Sequence, residues 1–125
     1  MATKQDNLRE EVRFRLLRLL NENPEMSQRD LARAVGVSNG GVHYVINALV
    51  DKGLLKLSNF SAAEDKRRYA YLLTPKGVEE KTRLTRRFVL RKMAEYKALQ
   101  AEIEEINAEL LSGEDNNAVR ILIGK

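Results

Sequence analysis

The sequence predicts a mainly α protein with a small β-hairpin, and three observations predict it. Apolar residues recur at helical spacing in three consecutive segments before residue 52. Two short alternating segments, "LLKLSNF" and "YAYLLT", then flank the polar loop "SAAEDKRR". A final periodic stretch runs from Thr74 to Leu111. Composition agrees. Charged residues at 32% and hydrophobic residues at 43% suit long helices, and aromatics at 6% leave an aliphatic core. At 125 residues the chain has room for one small domain and an extension.

The first helix is expected over 6–21, with Leu8, Val12, Leu16, Leu19 and Leu20 on one face and Phe14 and Leu17 widening it. Asn23-Pro24 ends it, since a residue before proline is pushed out of the helical region. The second is expected over 27–35, opened by Ser27 and Asp30 in a capping-box spacing and closed by Gly36. The third is expected over 38–52, with Ser38 as N-cap, Val42, Val45, Ile46 and Leu49 inward, and Gly53 as its stop. Two helices joined by a short glycine-containing turn form a helix-turn-helix. The hairpin over 54–73 completes a winged helix-turn-helix, so residues 1–74 are expected to be one winged domain. A generic small α+β domain is the alternative, and the particular order of elements argues against it.

Thr74 and Pro75 open the last helix, expected over 75–111, with proline in the first turn where its missing N–H costs nothing. At 1.5 Å per residue it would be about 55 Å long, too long to bury on so small a domain. Tyr96, Leu99, Ile103, Ile106 and Leu110 step by three and four, a coiled-coil seam, and Phe88, Val89 and Met93 continue the apolar face upstream. These eight residues are expected to form a dimerisation surface, the alternative being a helix folded back on its own domain. Residues 112–125 are expected to be a flexible tail.

Several function classes drop out. The absence of cysteine removes disulfides, thiolate catalysis and cysteine-ligated metal sites. A single histidine, with no phosphate-cradling glycine loop and no His/carboxylate set at metal spacing, leaves no reaction to propose. No enzyme activity, cofactor or metal is expected. The polar amino terminus and the lack of any run of about 20 apolar residues point to a cytoplasmic, nucleoid-associated protein without a membrane partner.

Charge points toward a polyanion. Residues 1–75 carry net +3 and residues 76–92 net +5, whereas residues 93–125 carry net −4. With the apolar positions of the third helix turned inward, Asn39, Gly40, His43, Tyr44 and Asn47 share the opposite face. In helix-turn-helix proteins the start of that helix enters the major groove, where asparagine amides pair with adenine edges. Ser38 and Gly41 stand at the same helix start. Gly40 and Gly41 give up roughly 1 kcal/mol of helix stability each and in return allow close approach and leave N–H groups for a phosphate. Asp65, Lys66, Arg67 and Arg68 occupy the hairpin tip, where arginine suits a narrow minor groove. Ser27, Arg29 and Arg33 on the second helix are candidate phosphate contacts, as are Arg83, Arg86, Arg87, Arg91 and Lys92 after the wing.

The stretch "DKRRYAYLLTPKG" resembles the wing of MarR-type regulators, whose pattern is Asp-x-Arg, a short strand, then Leu-Thr-x-x-Gly. Asp65, Arg67, Leu73, Thr74 and Gly77 occupy those positions. The resemblance implies that Arg67 reaches into the minor groove and that Asp65 helps fix the loop. More narrowly, "REEVRFRLLRLLNENPEMSQRDLARAVGVS", "KGLLKLSNF" and "YLLTPKGVEEKTRLTRRF" are similar to short MarR-type proteins associated with exopolysaccharide gene clusters. This implies a transcriptional regulator of polysaccharide biosynthesis genes. With the seam of the last helix it leads to the expectation of a homodimer on double-stranded operator DNA, whose two-fold symmetry calls for an inverted repeat. Many such regulators bind phenolic ligands between their two regions. The helices that wall that pocket are reduced here, so a small-molecule effector is a partner the resemblance allows without requiring. The competing function is a winged-helix adaptor that binds proteins, with the long helix as its docking surface.

Overall fold

The computed structural model describes residues 3–59 and 69–113. Its elements run α1 (Lys4–Glu22), α2 (Gln28–Val35), α3 (Asn39–Asp51), β1 (Leu55–Asn59), β2 (Tyr69–Leu73) and α4 (Pro75–Leu111). This is a mainly helical winged helix-turn-helix with a two-stranded antiparallel hairpin and a long last helix. The chain falls into two compact units, Met1–Phe88 and Val89–Lys125. The expected wing-tip residues Asp65, Lys66, Arg67 and Arg68, and all but the first two residues of the expected tail, lie outside the described residues.

Helix α1 begins two residues before its expected start, because Thr3 and Asp6 form a reciprocal capping box. Asp6 N donates to Thr3 Oγ1 at 3.0 Å and Thr3 N donates to Asp6 Oδ2 at 3.1 Å. The Thr3 backbone N–H, followed by its side chain, holds the Asp6 carboxyl below the usual carboxylate range. The buried face of α1 is Phe14, Leu16, Leu17 and Leu20. Leu8, expected on that face, is 60% exposed, so the packed stripe starts further along the helix than periodicity alone implies.

Helix α2 is capped by Ser27, whose Oγ accepts from Asp30 N at 3.0 Å. The reciprocal half of the expected capping box is not made; the Asp30 carboxylate turns to Arg33 at 3.6 Å. Gly36 ends the helix in the left-handed conformation with φ of 83°, a position where a side chain would be strained. Ser38 then caps α3, accepting from Gly41 N at 3.0 Å.

In the hairpin, Leu55 pairs with Leu73, Leu57 with Tyr71 and Asn59 with Tyr69. Two backbone bonds anchor its base. Tyr71 N donates to Pro24 O at 3.0 Å, joining β2 to the α1–α2 turn, and Thr74 N donates to Leu54 O at 3.1 Å. The core gathers Phe14, Leu16, Leu17 and Leu20 with Leu31, Val42, Ile46, Leu49, Leu54, Leu55 and Leu84. Each fully buried leucine contributes roughly 1.5–3 kcal/mol of transfer free energy.

The first unit continues past the boundary expected at residue 74. Leu84 is fully buried. The Phe88 ring stacks on Phe14 with centroids 4.7 Å apart, and the Arg15 guanidinium lies 5.4 Å from the Phe88 centroid. Arg87 Nε bonds Glu10 Oε2 at 2.9 Å. The opening turns of α4 therefore belong to the winged unit, because their apolar face has α1 to pack on. Phe88, expected on a dimer seam, is engaged within that unit. In the second unit Val89, Met93, Tyr96, Leu99, Ile103, Ile106 and Leu110 are all exposed.

Candidate nucleic-acid interface

Helix α3 divides cleanly between two faces. Val42, Ile46 and Leu49 are buried, with Val45 packed at the edge of the core. Asn39, Gly40, His43, Tyr44 and Asn47 are exposed, and Tyr44 reaches 76% exposure. Burying three aliphatic side chains four and three residues apart turns the intervening polar positions outward. The structure thus gathers these five residues on one face, as their spacing implies.

Two of the outward polar side chains are held in place. Asn47 Nδ2 lies 3.0 Å from His43 Nε2, and His43 Nδ1 lies 3.3 Å from Gln28 Oε1 on α2. Gln28 Nε2 in turn donates to the Tyr71 hydroxyl on β2 at 3.4 Å. A neutral imidazole with its proton on Nδ1 satisfies both histidine contacts, donating to Gln28 and accepting from Asn47. The second amide proton and the Oδ1 of Asn47 then remain for another hydrogen-bonding edge. This relay crosses three elements, and neither Gln28 nor Tyr71 was signalled by the sequence. A polar residue one position inside a helix start carries no distinguishing mark until the fold brings it to His43.

The two adjacent glycines prove unequal. A Cβ at Gly40 would meet nothing within 4 Å, whereas one at Gly41 would sit 3.2 Å from Ser38 Oγ. Gly41 also spends its N–H on the Ser38 cap, so that N–H is not offered to a phosphate as the sequence implied. Ser38 is likewise engaged as the cap.

The candidate cations differ in how they are engaged. Arg29 and Arg33 are exposed on α2, Arg33 paired with Asp30, and Ser27 is occupied as that helix's cap. Further along, Arg83 bonds Glu80 at 2.8 and 2.9 Å and Lys92 approaches Glu95 at 3.3 Å. The hydrogen bond from Arg83 keeps the Glu80 carboxyl below its usual range, and Glu80 raises the Arg83 guanidinium in return. Together with the Arg87–Glu10 pair, these contacts commit Arg83, Arg87 and Lys92 to intramolecular partners. No helix among the described residues is long and apolar enough to cross a membrane.

Residues 9–56 match the winged helix-turn-helix DNA-binding family. That stretch holds most of α1, all of α2 and α3, and the first strand residues. The chain is 31% identical over 91 residues, 73% of its length, to a putative transcriptional regulatory protein for the hcr operon of Thauera aromatica. It spans only about half of that curated relative, 53%. Among solved structures it is similar to the PcaV transcriptional regulator of Streptomyces coelicolor in complex with its natural ligand. That match has a TM-score of 0.62 and 24% identity, and covers 80% of this chain and 70% of PcaV. A MarR/EmrR family transcriptional regulator from Acinetobacter sp. ADP1 shares the fold with a TM-score of 0.54 and 19% identity, covering 81% of this chain and 75% of that one.

Proposed function

We propose that this chain is a MarR-type transcriptional regulator that binds double-stranded operator DNA as a homodimer, without enzymatic activity. The observation that carries the proposal is the outward face of α3. There His43 and Asn47 are held by hydrogen bonds on the same face as an unobstructed Gly40, on a helix whose other face is core. Each protomer inserts this face into the major groove, with Asn47 pairing to a base edge. Arg67, from the loop between the two strands, enters the adjacent minor groove and Asp65 steadies that loop. Exposed Arg29 and Arg33 contact flanking phosphates, Arg33 by exchanging Asp30 for a phosphate oxygen. The match of residues 9–56 to a DNA-binding family and the regulator relatives support this reading.

Two-fold symmetry implies an inverted repeat with half-sites about 10 bp apart, or a multiple of that. The similarity of three sequence stretches to exopolysaccharide-associated regulators suggests polysaccharide biosynthesis genes as targets. The protein acts in the cytoplasm, at the nucleoid.

A salt titration of binding to fluorescently labelled duplex DNA tests the reading. Affinity is expected to fall steeply as salt rises, because several phosphate contacts release counterions. Gly40→Glu, whose Cβ would meet nothing within 4 Å, is expected to stay folded and lose binding at every salt concentration. Equal binding by the folded variant would remove α3 from the groove. No binding by the unsubstituted protein at low salt would favour the adaptor function.

A further inference from the structure

The second unit carries an apolar stripe with two chemically different borders. Val89, Tyr96, Ile103 and Leu110 fall seven residues apart, and Leu99 and Ile106 follow Tyr96 and Ile103 by three. Each of the six is between 37% and 63% exposed. Residues at this spacing occupy the facing positions of a two-stranded coiled coil. One border holds Glu95, Glu102 and Glu109, each immediately before a stripe residue. The other holds Gln100 and Asn107, each immediately after one. A groove lined by Tyr96, Leu99, Gln100, Ile103, Glu104 and Asn107 follows the amide border. Among the described residues, Asn107 Oδ1 is the buried side-chain oxygen that lacks a hydrogen-bond partner.

We infer that two copies pair along this stripe in parallel, with the acidic border of each helix facing the amide border of the other. The inference rests on the homodimer proposed above and adds its direction and the residues that set it. In a parallel coiled coil the two borders of one helix meet the opposite borders of the partner. Glu95 then faces Gln100 of the second copy, and Glu102 faces Asn107 of the second copy. A carboxylate accepts and a side-chain amide donates, so each pairing is hydrogen-bond compatible. Antiparallel pairing brings like borders together and sets the three glutamates of one helix against the three of the other. Like charges so placed repel. Charge complementarity therefore selects one direction.

Parallel pairing brings both Val89 residues, and the Phe88 ends of both winged units attached to them, to the same end of the coil. Antiparallel pairing separates the Val89 residues by about 30 Å at 1.5 Å per residue.

The chain has no cysteine, so single thiols report direction without background. Sedimentation of the full chain is measured first, followed by mild oxidation of the Leu110→Cys and Tyr96→Cys variants. Each is compared with Glu105→Cys, which lies off the stripe. Facing thiols in a parallel pair fall within disulfide range. A sedimenting dimer is expected, with most of the Leu110→Cys and Tyr96→Cys protein converted to covalent dimer and most of the Glu105→Cys protein left reduced. A dimer in which neither stripe variant cross-links, but Tyr96→Cys and Ile106→Cys chains cross-link when mixed, would overturn the parallel direction and leave the homodimer standing. A dimer that cross-links at none of these positions would overturn the stripe as the interface. A chain that sediments as a monomer at micromolar concentration would overturn the homodimer itself, and the direction with it.

Discussion

Gly77 lies directly against Leu54, and a Cβ at residue 77 would overlap the Leu54 carbonyl oxygen. That carbonyl already accepts from Thr74 N, and Thr74 Oγ1 both donates to Gly53 O at 2.6 Å and accepts from Gly77 N at 3.0 Å. The Leu-Thr-x-x-Gly pattern thus welds the end of the wing to the start of α4. Gly77→Ala is expected to destabilise the fold by about 1–3 kcal/mol, since the obstruction is backbone that cannot rotate away. Urea denaturation monitored by circular dichroism measures it, and an unchanged midpoint would contradict the contact.

The stacked pair Phe14 and Phe88 joins α1 to the first unit's share of α4. Phe14 is 5% exposed. Phe14→Ala is expected to cost about 3–5 kcal/mol, and Phe88→Ala less because that ring is only half buried. The two losses are expected to be less than additive, because each removes the same contact. A double-mutant cycle by chemical denaturation checks this.

At the start of α3 the two glycines separate stability from function. Gly40→Ala is expected to stabilise the protein by up to about 1 kcal/mol through helix propensity alone. Gly41→Ala is expected to gain less, since its new methyl presses on the Ser38 cap at 3.2 Å. Thermal melts compare the two, and equal gains would contradict the inequality.

Gln28→Ala cuts the relay that holds His43 and Asn47 while leaving the core untouched. Stability is expected to fall by about 1 kcal/mol, since the partly buried Gln28 side chain bonds both His43 and Tyr71. DNA affinity is expected to fall several-fold, because the reading side chains lose their fixed rotamers. Fluorescence anisotropy with labelled duplex is the measurement, and undiminished affinity would show that the relay does not position the helix face.

Acid titration probes the capping box. The folded-state Asp6 carboxyl sits below its ordinary value of 3.8. Its contribution is therefore fully present above that value and is lost as pH falls through the lowered one. Asp6→Asn is expected to flatten the dependence of the urea midpoint on pH below about 4, with an unchanged slope as the contrary result.

Much of this fold was legible because its signals are local. Ser27, Gly36, Ser38 and Thr74 act on backbone groups within a few residues, and each does what its position implies. The charged loop between two alternating segments marked the hairpin equally well. Contacts made over distance were not legible. An apolar Phe88 at helical spacing looks the same whether it meets Phe14 or a second copy, and its partner lies 74 residues away. The exposure of Leu8 was hidden for the same reason. Within the candidate interface, the outward face of α3 followed from period alone, whereas Gln28 and Tyr71 joined it only through the packing of α2 on α3 and the bond from Gln28 to β2. Thr3 was missed despite a local signature, because the apolar stripe drew the expected helix start inward to Asp6.

Whether the outward face of α3 reads specific DNA is tested most directly by one selection. Fragmented DNA from the source genome is incubated at moderate salt with the unsubstituted protein and, in parallel, with Gly40→Glu, and the retained fragments are sequenced. The expected result is enrichment of a few sites sharing an inverted repeat with the unsubstituted protein, and no enrichment with the folded variant. Uniform retention without a shared repeat, no retention, or the same sites with both proteins would contradict it.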